Sequence, residues 1–212
     1  PMPTLRPADA PPPQRVLPRE EFANLSAAIG ALRKNDFDGA LKLRETLVDG
    51  AAQTLFDWFY VRDVSLNAGF DRILAFMDGH PDWPHETTLH ARLEAAAFFA
   101  HPPAREVITT FRRYEPQTGI GMAVLARAYM ESGDKAKAAR WIRQAWRSHP
   151  LPGSEETMIG KEFSELLRAE DHKARLDYLL YAAHSVAAPR LANQVDGQSG
   201  RLAGRPRAGS AP

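Results

Sequence analysis

Apolar residues along this chain recur three and four positions apart, the spacing that gives an α-helix one buried face. Phe22, Leu25, Ile29 and Leu32 mark such a face in residues 20–34. Ala40, Leu43 and Leu47 mark another in residues 37–48, with Asn35-Asp36 as the joint. Residues 51–61 carry Leu55, Trp58, Phe59 and Val61. Residues 70–77 stop at Asp78-Gly79-His80-Pro81, where the glycine suits a left-handed cap and the proline forbids continuation. Residues 85–99 place Leu89, Leu93, Ala96 and Ala97 on one face and end at His101-Pro102-Pro103. Residues 104–114 carry Val107, Ile108 and Phe111, and Pro116-Gln117-Thr118-Gly119 makes the next break.

The clearest hairpin pairs residues 121–132 with 134–148, setting Leu125, Ala128 and Tyr129 against Ala138, Ile142 and Ala145. In the turn Ser132-Gly133-Asp134 the glycine ends one helix and the aspartate caps the next. Its small alanines allow close approach, in the style of a tetratricopeptide-like repeat. Residues 154–168, with Ser154 as cap, then 173–183 and 187–195 complete about ten helices without a strand. The expected fold class is therefore all-α. Short hairpins bury too little surface singly, so the expected architecture is an α-superhelix (solenoid) of stacked hairpins, tetratricopeptide-like in part. A compact bundle would need fewer, longer helices.

Proline marks one end of the helical body. Residues 1–18 hold Pro1, Pro3, Pro7, Pro11, Pro12, Pro13 and Pro18, which lack amide donors and favour an extended leader or linker. The helical domain is expected over 19–195, and residues 196–212, rich in Gly, Arg, Ala and Pro, read as a disordered tail. The first residue is Pro1 rather than Met, which suggests a processed or trimmed chain.

Composition narrows the function. Of 212 residues 44% are hydrophobic and 25% charged, with a net charge of +1, as in ordinary folded proteins. Arg140, Arg143 and Arg147 are interleaved with Glu131 and Asp134, so no basic face for nucleic acid is expected. There is no cysteine, which excludes disulfides and thiolate metal sites. No apolar run is long enough to span a membrane, and the first residues lack the order of a signal peptide.

Candidate chemistry is sparse. Of His80, His85, His90, His101, His149, His172 and His184, only the first three are close in sequence. His85 and His90 are five apart, where a helical metal pair wants four. The others mostly flank helix ends, where a histidine caps carbonyls. Glu20-Glu21 and Glu155-Glu156 sit at helix starts, where the macrodipole favours anions. Gly119-Ile120-Gly121-Met122 lacks a third glycine and a preceding strand, so it reads as a helix start. Trp83 and Trp146 are expected to pack structurally. No catalytic residue, cofactor-binding residue or metal ligand is assigned, and no cofactor is expected.

Several stretches resemble a known family. Trp58-Phe59-Tyr60-Val61-Arg62, then Phe76 to His80-Pro81-Asp82-Trp83-Pro84, Pro116 with Thr118-Gly119, and Leu125-Ala126-Arg127-Ala128 follow one another in its order. Ile142-Arg143-Gln144-Ala145-Trp146-Arg147 and Asp171-His172-Lys173-Ala174-Arg175-Leu176-Asp177 complete the set. At these separations the chain, from Phe56 to about Arg190, resembles the N-terminal superhelical domain of alphaproteobacterial soluble lytic murein transglycosylases.

The resemblance implies a periplasmic protein of the cell wall. Such enzymes cleave peptidoglycan glycan without water and leave a 1,6-anhydro-muramoyl end. One glutamate of a C-terminal lysozyme-like domain acts first as acid and then as base. That chemistry needs a Glu-Ser pair in a helix followed by Gly-Leu-Met-Gln. Here Glu131-Ser132 ends a helix and no such stretch follows, so no catalytic role is carried over. The family continues through more helices where residues 197–212 lose periodicity, as a frameshifted GC-rich gene would read. The expectation is a truncated transglycosylase whose remaining helices are a scaffold, with peptidoglycan or cell-wall proteins as partners. The alternative is a free-standing helical-repeat module that binds a protein segment.

Overall fold

The computed structural model describes residues 16–63, 68–84 and 86–182, and these are helical with turns and no strand among them. Residues 1–15 of the expected leader, His85, His184, the helix expected at 187–195 and the tail 196–212 lie outside the described residues. The chain divides into two compact units at 96/97.

The first unit holds α1 (Arg19–Arg33), α2 (Phe37–Glu45), α3 (Gly50–Asp63), α4 (Phe70–Gly79) and the start of α5 (Glu86–Ala100). Helix α1 packs on α2 and α3, and α3 packs on α4. The buried stripe of α1 is Glu21, Leu25, Ala28 and Leu32, at steps of four, three and four. Phe22, expected on that face, is 61% exposed. Extending the stripe one turn back from Leu25 reaches position 21, not 22. Glu21 tolerates the burial because its carboxylate accepts from the Val48 and Asp49 amides, both at 2.8 Å. Asp49 in turn accepts from the Ala51 and Ala52 amides and caps α3.

Other boundaries shift. Helix α2 ends at Glu45 rather than 48, although Leu47 stays buried in the turn that follows. In α3 the fully buried residues are Ala52, Phe56, Tyr60 and Val61, whereas the expected Leu55, Trp58 and Phe59 are half-buried. Helix α4 runs through Gly79 and ends on His80 at φ −141°, so the expected left-handed glycine is not there. Pro81 suffices to stop it. In this unit positive φ occurs at Gly69, 75°, and in the α1–α2 joint at Asn35, 61°, a residue whose short amide side chain tolerates that region.

The second unit holds the end of α5, then α6 (Ala104–Arg113), α7 (Gly119–Glu131), α8 (Lys135–Ser148), α9 (Gly153–Glu162) and α10, helical residues 169–182. Helix α7 is central: residues 121–128 are all buried. Its start is as expected, with the Thr118 hydroxyl accepting from the Gly121 amide at 3.1 Å. The α7–α8 hairpin also forms as expected. Gly133 takes φ 84°, and Asp134 accepts from the Lys137 amide at 3.0 Å. Ala138, Ile142, Ala145 and Trp146 are buried along α8.

The expected helix over 154–168 is two pieces. Helix α9 ends at Glu162 and turns follow, while helix resumes at 169, ahead of the expected 173. Ser154 is not the cap: Pro152 holds that position without a side-chain bond, and the Ser154 hydroxyl donates to Glu155. Burial of Phe163 and Leu167 explains the break, since the chain turns to bury both.

Gly119 is required by close approach. A Cβ there would stand 2.9 Å from both His149 Cβ and Leu151 Cδ2. Gly119→Ala is expected to destabilise by about 1–3 kcal/mol, the usual size of overpacking. A lowered urea midpoint checks this; an unchanged one would show that the 149–151 turn yields freely.

Candidate functional site

The catalytic question centres on Glu131. It is exposed at the end of α7, and the Ser132 hydroxyl donates back to the Ala128 and Tyr129 carbonyls at 2.8 and 3.1 Å. Glu131 borders a depression of about 10 Å³, no larger than the room for about one water. A sugar ring cannot enter it.

The histidines separate into structural roles. His80 Nδ1 lies 3.1 Å from the Phe76 carbonyl and His149 Nδ1 3.4 Å from that of Gln144, so both sit against a helix end. His172 packs edge-on to Trp146, centroids 5.6 Å apart. His90 is buried on α5 with Glu86 one turn away at 3.6 Å. His101 takes a left-handed φ of 51° after α5 and stands 3.4 Å from an Arg127 nitrogen. Among the described residues no three His, Asp or Glu side chains form a group that could hold a metal, and no helix is long and apolar enough to cross a membrane.

Of the carboxylate pairs, both have a member that reaches across the fold. Glu21 caps the 48–49 turn, as above. Glu156 accepts from Arg175 at 2.7 and 3.3 Å. Macrodipole placement at a helix start therefore accounts for only part of their role.

Arginine–carboxylate pairs hold the second unit together. Arg127, in the otherwise uncharged middle of α7, is 7% exposed. Its Nε and Nη2 donate to both oxygens of Glu162 at 2.5 and 2.7 Å, and Nη1 donates to the Phe98 carbonyl at 3.3 Å. Asp171 is fully buried. It accepts from Arg147 Nε at 2.5 Å and the Arg168 amide at 2.7 Å, with Arg143 Nε at 3.4 Å. Arg175 is buried too, and besides Glu156 its Nη1 donates to the His149 and Trp146 carbonyls at 2.6 and 3.3 Å. These planar forks satisfy several acceptors at once, which a lysine could not. The sequence signal for Arg127 was a lone charge in an apolar helix, which marks a buried and paired arginine.

The residues quoted for the resemblance come together in the same way. Trp58 Nε1 donates to the Pro84 carbonyl at 3.2 Å, joining two of the quoted stretches. The Arg62 guanidinium lies over the rings of Trp58 and Phe59 at 4.3 and 4.7 Å. Trp83 packs edge-on to Phe76 and His80, at 6.0 and 5.5 Å. Arg147, Trp146, Asp171, His172 and Arg175 form one cluster.

The first unit contains a cleft of about 450 Å³ that periodicity along the chain does not reveal. Leu41, Arg44 and Glu45 line it from α2, Asp57 and Val61 from α3, and Arg72, Ala75, Phe76 and His80 from α4 and its end. Arg44 forks onto Asp57 at 2.7 and 3.1 Å. This hydrogen bonding pushes the Arg44 guanidinium above its ordinary range, against the opposing pull of burial. The cleft thus has an apolar floor and a charged rim but no acid held in an apolar surround. The chain matches no family model, no curated protein and no solved structure.

Proposed function

We propose that this chain is a non-catalytic helical scaffold of the cell wall, equivalent to the superhelical part of a soluble lytic murein transglycosylase. The observation that supports the reading is the pairing of the quoted stretches. Segments such as Trp58–Arg62 with Pro84, or Trp146-Arg147 with Asp171–Arg175, meet through hydrogen bonds, ion pairs and ring contacts. Residues shared for such reasons specify a fold that positions something else, rather than a reaction centre. In this reading successive hairpins stack as a superhelix, and its partner is peptidoglycan or a protein bound to it.

Lytic chemistry needs a carboxylic acid beside the scissile oxygen, kept protonated by an apolar surround. Glu131 is exposed at a helix end and lacks that surround. Purified chain incubated with sacculi is therefore expected to release no 1,6-anhydro-muropeptides above a heat-killed control. Glu131→Gln should leave the chromatogram unchanged, and the chain should sediment with the sacculi. Release that disappears in Glu131→Gln would overturn the non-catalytic reading. Failure to sediment would remove the cell-wall scaffold and favour a free-standing interaction module.

A further inference from the structure

The cleft of the first unit is asymmetric in charge. Helix α2 packs on α1 and α4 packs on α3, which leaves the space between α2 and α4 open above Val61. On the α2 side Arg44 is neutralised by Asp57, and Glu45 stands beside it. On the α4 side the exposed Arg72 has no carboxylate partner among the described residues. Its guanidinium lies 5.0 Å above the buried Tyr60 ring. His80 lies along the same rim, with Nδ1 directed to the Phe76 carbonyl. A cation held over an aromatic face is presented with its fork free, the arrangement that receives a carboxylate. Leu41, Ala75 and Phe76 offer apolar surface next to it. At about 450 Å³ the cleft is within the range of ligand sites, roughly 300–1,000 Å³.

We propose that this cleft binds the C-terminal end of a peptide, taking its carboxylate on Arg72 and its apolar last side chain against Leu41, Ala75 and Phe76. Glu45 leaves the opposite wall net negative beside the neutral Arg44–Asp57 pair, so that wall repels a second anion and favours a single terminal carboxylate over a polyanion. The Arg44–Asp57 pair shapes the opposite wall without contributing net charge. This inference stands on the cleft alone and goes beyond the cell-wall reading. Its probe is a peptide and not sacculi, so either can fail without the other.

The test is amide chemical-shift mapping of the full chain with N-acetyl-alanyl-alanyl-leucine bearing a free carboxylate. The same tripeptide as its C-terminal amide, and acetate, are the controls. The expected result is saturable shifts at residues 41–45 and 72–80, with a Kd of about 1 mM. The amide, and the free acid on an Arg72→Glu variant, should bind roughly tenfold more weakly, while Arg72→Lys retains part of the affinity. Arg72 is exposed, so the variants should keep the parent circular dichroism spectrum. Leu41→Asp tests the apolar wall independently and should also weaken binding. Shifts absent at saturating peptide, located elsewhere, or unchanged in Arg72→Glu would overturn the proposal. So would acetate binding as tightly as the tripeptide, which would make the cleft a simple anion site.

Discussion

Arg175→Ala is expected to destabilise the second unit by about 2–4 kcal/mol, somewhat below the loss of about 3–5 kcal/mol for a fully buried ion pair, because Arg175 is buried but Glu156 is 26% exposed. Arg175 holds three separate acceptors: the Glu156 carboxylate and the Trp146 and His149 carbonyls. Removing it leaves the two carbonyls and the Glu156 carboxylate, whose side chain is 26% exposed, without their buried donor. The same guanidinium lies 5.6 Å from the Trp146 ring centroid, so packing is lost as well. Urea denaturation followed by far-ultraviolet circular dichroism measures the change. A cycle with Glu156→Gln separates the pair from the carbonyl bonds. If the double variant is no less stable than Arg175→Ala alone, the damage lies in the stranded carboxylate. A single-variant loss below about 1 kcal/mol would place the pair with ordinary surface bridges.

Trp146→Ala should cost a similar amount, about 3–5 kcal/mol, for a different reason. The ring is buried in α8, with the chain at Gly160 on one side and His172 on another. An ideal Cβ at Gly160 would lie 3.0 Å from its Cη2. Alanine would leave a cavity that three helices would have to move together to fill. Trp146→Phe should cost clearly less, because the buried Nε1 makes no hydrogen bond among the described residues and only volume is lost. Equal losses for the two variants would show that the indole nitrogen has a partner after all. Thermal melting of Trp146→Ala indistinguishable from the parent would overturn the assignment of a packed core position.

Much of this architecture was legible along the chain because helix formation is a local affair. The three-and-four spacing of Leu89, Leu93, Ala96 and Ala97 is the face that is buried. Ser132-Gly133-Asp134 makes the turn that its residues require. Where periodicity misled, a tertiary partner was the cause. Phe22 has the hydrophobicity of a core residue, but Glu21 occupies the core because two amides from a turn 27 and 28 positions on come to meet it. The helix expected through 168 breaks after 162 so that Phe163 and Leu167 can be buried.

By itself the sequence determined the all-helical class, the α7–α8 hairpin with its caps, and the exclusion of thiolate chemistry. Each follows from residue type and near-neighbour spacing, which act within one or two turns of chain. Only the tertiary structure decided which charges are buried and with what. Arg127 meets Glu162 35 positions away, Arg147 meets Asp171, and Arg44, Arg72 and His80 come to border one cleft. Whether a charge is tolerated in the interior depends on a partner brought by another helix, and nothing in its own neighbourhood along the chain specifies that partner.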